Sequence, residues 1–204
     1  MPADLAAFAA ECAEPFPADH YGKGARCAVV LNDGTSLPCV MLRGRKAAVD
    51  LAVRRIKEES GGKGVFGRSS DPSREMVAHF TTKGNRLNSY DVASFEVSRF
   101  AIPLSLLKTI QSETVMSWTG FVLTMSDGNS FSFGATFTTQ SFNLPDGYSF
   151  ADVTEVHNHS CVAEDGLITL IRQDPEHWRN ALLHSKVYRE KPFFDCFVDS
   201  DVLD

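Results

Sequence analysis

Leu5, Phe8, Ala9 and Cys12 recur at helical spacing, and Pro15 and Pro17 close the run. This pattern predicts an N-terminal helix within residues 1–14. From Arg26 the period changes. "RCAVVLNDGTSLPCVML" (26–42) is apolar on both sides of Asp33-Gly34, which predicts a β-hairpin with a two-residue type I′ turn. That turn would pair Val30 with Leu37 and Cys27 with Val40, and would set Cys27 and Cys39 on opposite faces. Pro38 cannot donate to a ladder and marks an edge or a bulge.

The strongest helical pattern is "RKAAVDLAVRRIKEES" (45–60), in which Val49, Ala52, Val53 and Ile56 make one stripe and Gly61-Gly62 ends the helix. Residues 71–84 read two ways. Asp71-Pro72 suits a helix start, whereas Val77, Phe80, Thr81 and Thr82 before a Lys-Gly-Asn turn suit a strand, which is the expectation. A strand over 93–102 and a short helix over 103–110 follow. "WTGFVLTMSDGNSFSFGATF" (118–137) predicts a second hairpin about Asp127-Gly128. A two-residue loop there sets Phe121 over Gly134, Val122 over Phe133, Leu123 over Ser132 and Thr124 over Phe131, large against small, as in a central hairpin. Phe121, Val122, Phe131 and Phe133 should then be buried. Residues 174–190, with Trp178, Leu182 and Leu183 on one stripe, read as helix; 192–198 read as strand, and 199–204 as an acidic tail. No internal repeat is visible, and no linker divides the chain. The fold class expected is α+β: a mainly antiparallel sheet built from β-hairpins with several short helices packed on it, in a single domain over 1–204.

Composition sharpens this picture. With 204 residues, 43% of them hydrophobic, the chain can bury a core without a staple. Fifteen Phe against four Tyr and two Trp favour burial, because Phe carries no polar handle. Five scattered cysteines without a C-x-x-C point to reduced thiols in a reducing compartment. Residues 1–20 lack the basic start and apolar run of a signal peptide, and no window nears 18 consecutive apolar residues. The expectation is a cytoplasmic protein that no membrane holds.

Charge is uneven. Residues 43–86 hold eleven Lys/Arg against five Asp/Glu, whereas 87–204 hold seven against sixteen. A basic stretch on an acidic body suggests an anion-facing segment, carried by Arg43, Arg45, Arg54, Arg55, Lys63 and Arg68. Within it, "GKGVFGRS" (62–69) is one letter from the phosphate-binding loop pattern, with Arg68 where lysine belongs. The strand–loop–helix setting of that motif is missing, which leaves at most a glycine nest for an anion.

Two histidines stand one residue apart in "VTEVHNHSCVAED" (153–165). His157, His159 and Glu164 make an H-x-H-x4-E spacing that resembles the first metal motif of the cupin family over eight residues. That resemblance implies strand geometry and a set of two imidazoles and a carboxylate for Fe(II), Mn or Zn. Ala151 stands where the family has a glycine, and the later Pro-x-Gly…His…Asn element is missing; His177 and Asn180 lie in a helical pattern instead. The competing local reading is a helix: Asp152 and Glu155 resemble a capping box, and Phe150, Val153 and Val156 recur every three residues. A helix would turn the two rings about 200° apart, so they could not share an ion. The helix is the better local fit, and no metal is expected there.

No G-x-S-x-G occurs, and Ser69-Ser70 have no assignable base. No catalytic centre and no cofactor are therefore expected. The function expected is binding, of a partner protein or an anionic ligand, through the basic 43–86 stretch. A metal-dependent enzyme on His157, His159 and Glu164 is the alternative. Nucleic-acid contact through Arg43, Arg45, Lys46, Arg54, Arg55, Lys63 and Arg68 is a second, opposed by a pI near 5.5.

Overall fold

Three Asp-Gly turns set the strand pairing. In a computed structural model, which describes residues 5–19, 22–60, 84–111, 113–115, 117–136, 138–171 and 186–199, the three share one bonding pattern. Gly34 N–H donates to the Leu31 carbonyl (2.9 Å), Leu31 N–H to the Thr35 carbonyl (2.8 Å), and Thr35 N–H to Asp33 Oδ1 (2.8 Å). Gly128, Met125, Asn129 and Asp127 repeat these bonds, and so do Gly166, Ala163, Leu167 and Asp165. Only the glycines take positive φ, at 86°, 87° and 82°. Each loop is thus a type I turn followed by a glycine bulge, three residues long. The two-residue type I′ turn expected from Asp-Gly would need positive φ at the aspartate as well. The aspartate instead stays right-handed and caps an amide two residues on.

One extra loop residue shifts the register. Phe121 pairs with Phe133, Val122 with Ser132, Leu123 with Phe131 and Thr124 with Ser130, so on the core face large meets large, not small. In the first hairpin Val29 pairs with Leu37 and Val30 with Ser36, yet Cys27 still meets Val40 as expected. A bulge at Pro38-Cys39 absorbs the difference, where the missing proline N–H makes a ladder break cheapest.

In chain order the elements are helix α1 (Leu5–Glu11), strands β1 (Glu14–Asp19), β2 (Gly22–Leu31) and β3 (Ser36–Gly44), helix α2 (Arg45–Ser60), β4 (Arg86–Asn88) and β5 (Val92–Glu96). Helix α3 (Leu104–Leu107), β6 (Thr119–Met125), β7 (Ser130–Ala135), β8 (Val153–Asn158), β9 (Ser160–Val162), β10 (Ile168–Leu170), β11 (Val187–Arg189) and β12 (Phe194–Val198) follow. Strand dominates, helices are few, and the sheets are mixed: β12 runs parallel to β3 and β4, and β11 runs parallel to β7, while the other pairs are antiparallel. Two compact units make up the chain, residues 1–98 with 193–204, and residues 99–192.

The two units repeat one design that is not visible as a sequence repeat. In the first, strands lie in the order β12-β3-β2-β5; in the second, β11-β7-β6-β8, with matching directions. Each has a short helix ahead of its hairpin and a 3-10 turn (Ser89–Asp91, Phe150–Asp152) just before the third strand. The Asn32 and Ser126 amides bond the Asp91 and Asp152 carbonyls in the same way, at 2.9 and 2.8 Å. Even the bulges agree: Leu31 pairs with Val92 and Val30 with Ser94, as Met125 pairs with Val153 and Thr124 with Glu155. The first unit adds β1 along half of the β2 edge and β4 outside β12. Pro15 and Pro17 lie on β1, an edge strand, where a missing donor is tolerated.

Each unit has its own core. In the first, Ala25, Cys27, Val29, Val40, Leu42, Cys196 and Val198 pack with Leu5 of α1. In the second, Phe121, Leu123, Met125, Phe133 and Ala135 pack with Ile102, Leu107 and Phe142. Phe121 and Phe133 stack at 5.6 Å and 14°, and Phe142 meets both edge-on, at 88° and 89°. On the other face of this hairpin, Trp118 lies over Gly120 and Gly134, and a Cβ on Gly134 would fall 1.9 Å from the indole.

Several expectations need correction. Residues 153–158 are strand, not helix; the capping box exists, but Ser149 and Asp152 form it around the 3-10 turn. The helix expected over 174–190 does not reach Val187–Arg189, which are strand, and 172–185 lie outside the described residues. The ambiguous 71–83 segment also lies outside them, as do residues 200–204 of the expected tail.

Phe133 is 1% exposed, so Phe133→Ala should cost about 3–5 kcal/mol by urea denaturation. Gly134→Ala, which loads the opposite face, should cost about 1–3 kcal/mol because Trp118 must move. The second turn should also report pH. The Tyr148 hydroxyl (2.6 Å), and then the Asn129 amide, hold the Asp127 carboxyl below its usual range. A depressed carboxylate stabilises the fold above its unfolded pKa, near 4, and that contribution fades as pH falls through the folded value. Asp127→Asn should therefore lower Tm at pH 7, with the gap to the parent chain closing below about pH 4.

Candidate functional site

Helix α2 carries a feature that its own fold does not use. Its inward line is narrow: Leu51 is buried, and Ala47 comes so close to Gly22 that a Cβ on that glycine would stand 3.1 Å from the alanine methyl. Arg55 and Glu58 pair at 2.9 Å near the same side. The broader stripe seen in the sequence faces out. Val49, Val53 and Ile56 are 51%, 44% and 42% exposed at i, i+4 and i+7. Lys57 stands exposed beside it and makes no ion pair among the described residues, whereas Arg54 falls on the Ala47 side of the helix. Ala47 and Leu51, four residues apart, form a second and slimmer apolar line, and the small alanine side chain permits the closer approach.

The anion-binding set is only partly placed on this surface. Arg43 lies buried in β3, its Nε 3.1 Å from Asp195 Oδ1 and its guanidinium 4.5 Å above the Phe16 ring. Arg45 bonds Asp199 (2.9 Å) and the Phe197 carbonyl (3.3 Å). Arg55 is held by Glu58, and Lys46 reaches Asp50 at 2.6 Å. Lys63 and Arg68 lie outside the described residues. The four described arginines do not converge as one cradle, because three of them answer acids of this chain. Sequence reading passed over Arg26, which shares the Arg43 face of the sheet and donates to the Pro15 carbonyl at 3.1 and 3.3 Å. Burial lowers its pKa to about 10, against the pull of Glu14 at 3.9 Å.

The histidines sit on the second sheet. His157 lies across from Val122 on β8, with Nε2 3.2 Å from Thr124 Oγ1 and 3.5 Å from Glu155 Oε2; Thr124 Oγ1 also meets Ser130 Oγ at 2.9 Å. Both neighbours use one ring nitrogen. A hydroxyl–imidazole–carboxylate relay needs opposite nitrogens, so this string is a polar cluster and not a triad. His159 follows with φ +54°, which breaks the strand alternation, and its Nδ1 lies 2.9 Å from the buried Thr114 hydroxyl. That hydroxyl also accepts the Gly120 N–H at 2.9 Å. The two rings are thus held by different threonines, through a kink after a strand and not by a helix. Glu164 belongs to the third Asp-Gly turn. Among the described residues, no three His, Cys, Asp or Glu are grouped to hold a metal ion.

None of the five cysteines is in a disulfide. Burial raises the Cys27 thiol well above its ordinary value and pushes Cys196 up to about 11. Against family models, curated proteins and solved structures, nothing matches the chain. No helix among the described residues is long and apolar enough to cross a membrane.

Thiol chemistry gives a direct check on this burial. Cys12 is exposed, whereas Cys27, Cys39, Cys161 and Cys196 are buried. Native protein at pH 8 should react quickly with one equivalent of a disulfide reagent, lost in Cys12→Ser, and should release the other four only on unfolding.

Proposed function

We propose that this chain is a cytoplasmic binding protein that meets a partner protein through the outer face of α2. One observation carries the reading: the helix presents Val49, Val53 and Ile56 as an exposed stripe, with Lys57 along its flank. Its own sheet is already served by Ala47 and Leu51, so folding does not require this stripe. Apolar side chains at i, i+4 and i+7 are the anchors of helix-in-groove recognition. Their contiguous exposure is otherwise a liability. The basic flank suits an acidic rim on the partner, where charge guides encounter and orientation. Five thiols outside any disulfide support a reducing compartment. Nucleic acid is the poorer ligand, since Arg43 is buried and Arg45 and Arg55 are bound to acids.

A photocrosslinking residue at Val53, introduced into the protein in its own cells, tests this. We expect a discrete adduct from Val53, absent from the same probe at Asp33 and weakened when Lys57 is changed to Glu. Val53→Asp should leave the folding free energy within about 0.5 kcal/mol, as at other exposed positions. Equal labelling at Val53 and Asp33, or none at either, would remove the proposal.

A further inference from the structure

A second exposed apolar patch lies in the other unit, and it has the opposite charge. Beyond the third Asp-Gly turn, Leu167, Ile168 and Leu170 are 65%, 38% and 59% exposed. Glu164 and Asp165, both exposed, form the turn itself. Ile168 and Leu170 share one side of β10 by strand alternation, and among the described residues β10 pairs only with β9. From Ile168 to Leu170 extended chain spans about 7 Å, within the roughly 10 Å of the stripe from Val49 to Ile56 at 1.5 Å per helical residue. One patch is a stripe with a basic flank, the other a strand end with an acidic turn. The same division runs through the chain: residues 43–86 carry eleven basic against five acidic side chains, and 87–204 carry seven against sixteen.

Building on the partner-binding reading of α2, we propose that its partner is a second copy of this chain, with the α2 stripe of one copy docked on the β9–β10 hairpin of the next. Val49, Val53 and Ile56 then cover Ile168 and Leu170, while Lys57 approaches the acidic turn at Asp165. Two different patches of one chain meet, so the contact is heterologous. It either closes into a ring or adds copies head to tail. Every molecule supplies both halves in equal number.

Sedimentation of the full chain from micromolar to millimolar concentration tests this. We expect concentration-dependent association that weakens at high salt, as a contact with charged rims does. Val53→Asp and Leu170→Lys should each weaken it by at least about tenfold, as loss of a central anchor does. The decisive measurement mixes the two variants. Each keeps the half that the other has lost, so the mixture should form a heterodimer and stop at two copies. Ile56→Asp and Ile168→Lys give an independent pair should either first variant fail to fold. A parent chain that stays monomeric throughout, a single variant that still associates fully, or folded variants that do not combine would each overturn the proposal. Compaction independent of concentration would overturn it too, since it would mean docking within one chain. A Val53 adduct of foreign mass from a monomeric chain would sink this inference alone and leave the partner reading standing. With neither adduct nor association, both fall.

Discussion

The length of the Asp-Gly loop is the constraint on which the sheets depend. A three-residue loop places odd-numbered residues of β6 opposite odd-numbered residues of β7, and so gathers Phe121, Leu123, Met125, Phe131 and Phe133 on one face. One residue fewer would pair Phe121 with Gly134 and scatter the aromatics over both faces. The carboxylate of the turn is what favours the longer loop. It accepts an amide two residues on, which is possible while the aspartate is right-handed, and leaves positive φ to the glycine alone. The other face of the hairpin then carries Gly120 and Gly134, and their missing side chains make the seat for Trp118.

Because two units share the strand order, they can be compared position by position. Where the second has Thr124, Ser130, Glu155 and His157, the first has Val30, Ser36, Ser94 and Glu96. The polar string around His157 therefore belongs to the second unit and is not demanded by the architecture. The parallel strand differs as well. Asp195 lies beside Met41 and holds the buried Arg43, whereas at the matching place Arg189 lies beside Gly134 and covers the Trp118 ring at 4.7 Å. One backbone plan thus hosts two electrostatic arrangements.

Much of this could be read from the residues. The bounds of α2, the places of both large hairpins and the closing strand follow from period and turn chemistry. What failed did so for local reasons. The spacing of Phe150, Val153 and Val156 looks helical because a 3-10 turn leads into a strand with a bulge at Thr154, which returns Val153 and Val156 to the same core. Val92 and Phe95 do the same in the first unit. A period of three can therefore mark a bulged strand, and Asp165-Gly166 was the available sign that this region turns as a hairpin. For α2, periodicity found the stripe but could not say which way it faces, since Ala47 and Leu51 offer a rival line that moment-type reasoning outweighs. The buried pair of Arg43 and Asp195 joins residues 152 positions apart and leaves no local trace.

That pair also bears on assembly during synthesis. Among the described residues, β12 is the only neighbour of β3 on the side away from β2, and it reaches the ribosome exit after residues 99–192. Until then, β3 carries an open row of backbone donors and acceptors, and Arg43 lacks its Asp195 partner. The intervening unit holds all four strands of its own sheet and can close first, so the first unit waits, unfinished, for β12. A ribosome that stalls, or a protease that cuts, ahead of β12 leaves an edge that can recruit foreign strands, and the quality of the first unit is decided at that strand.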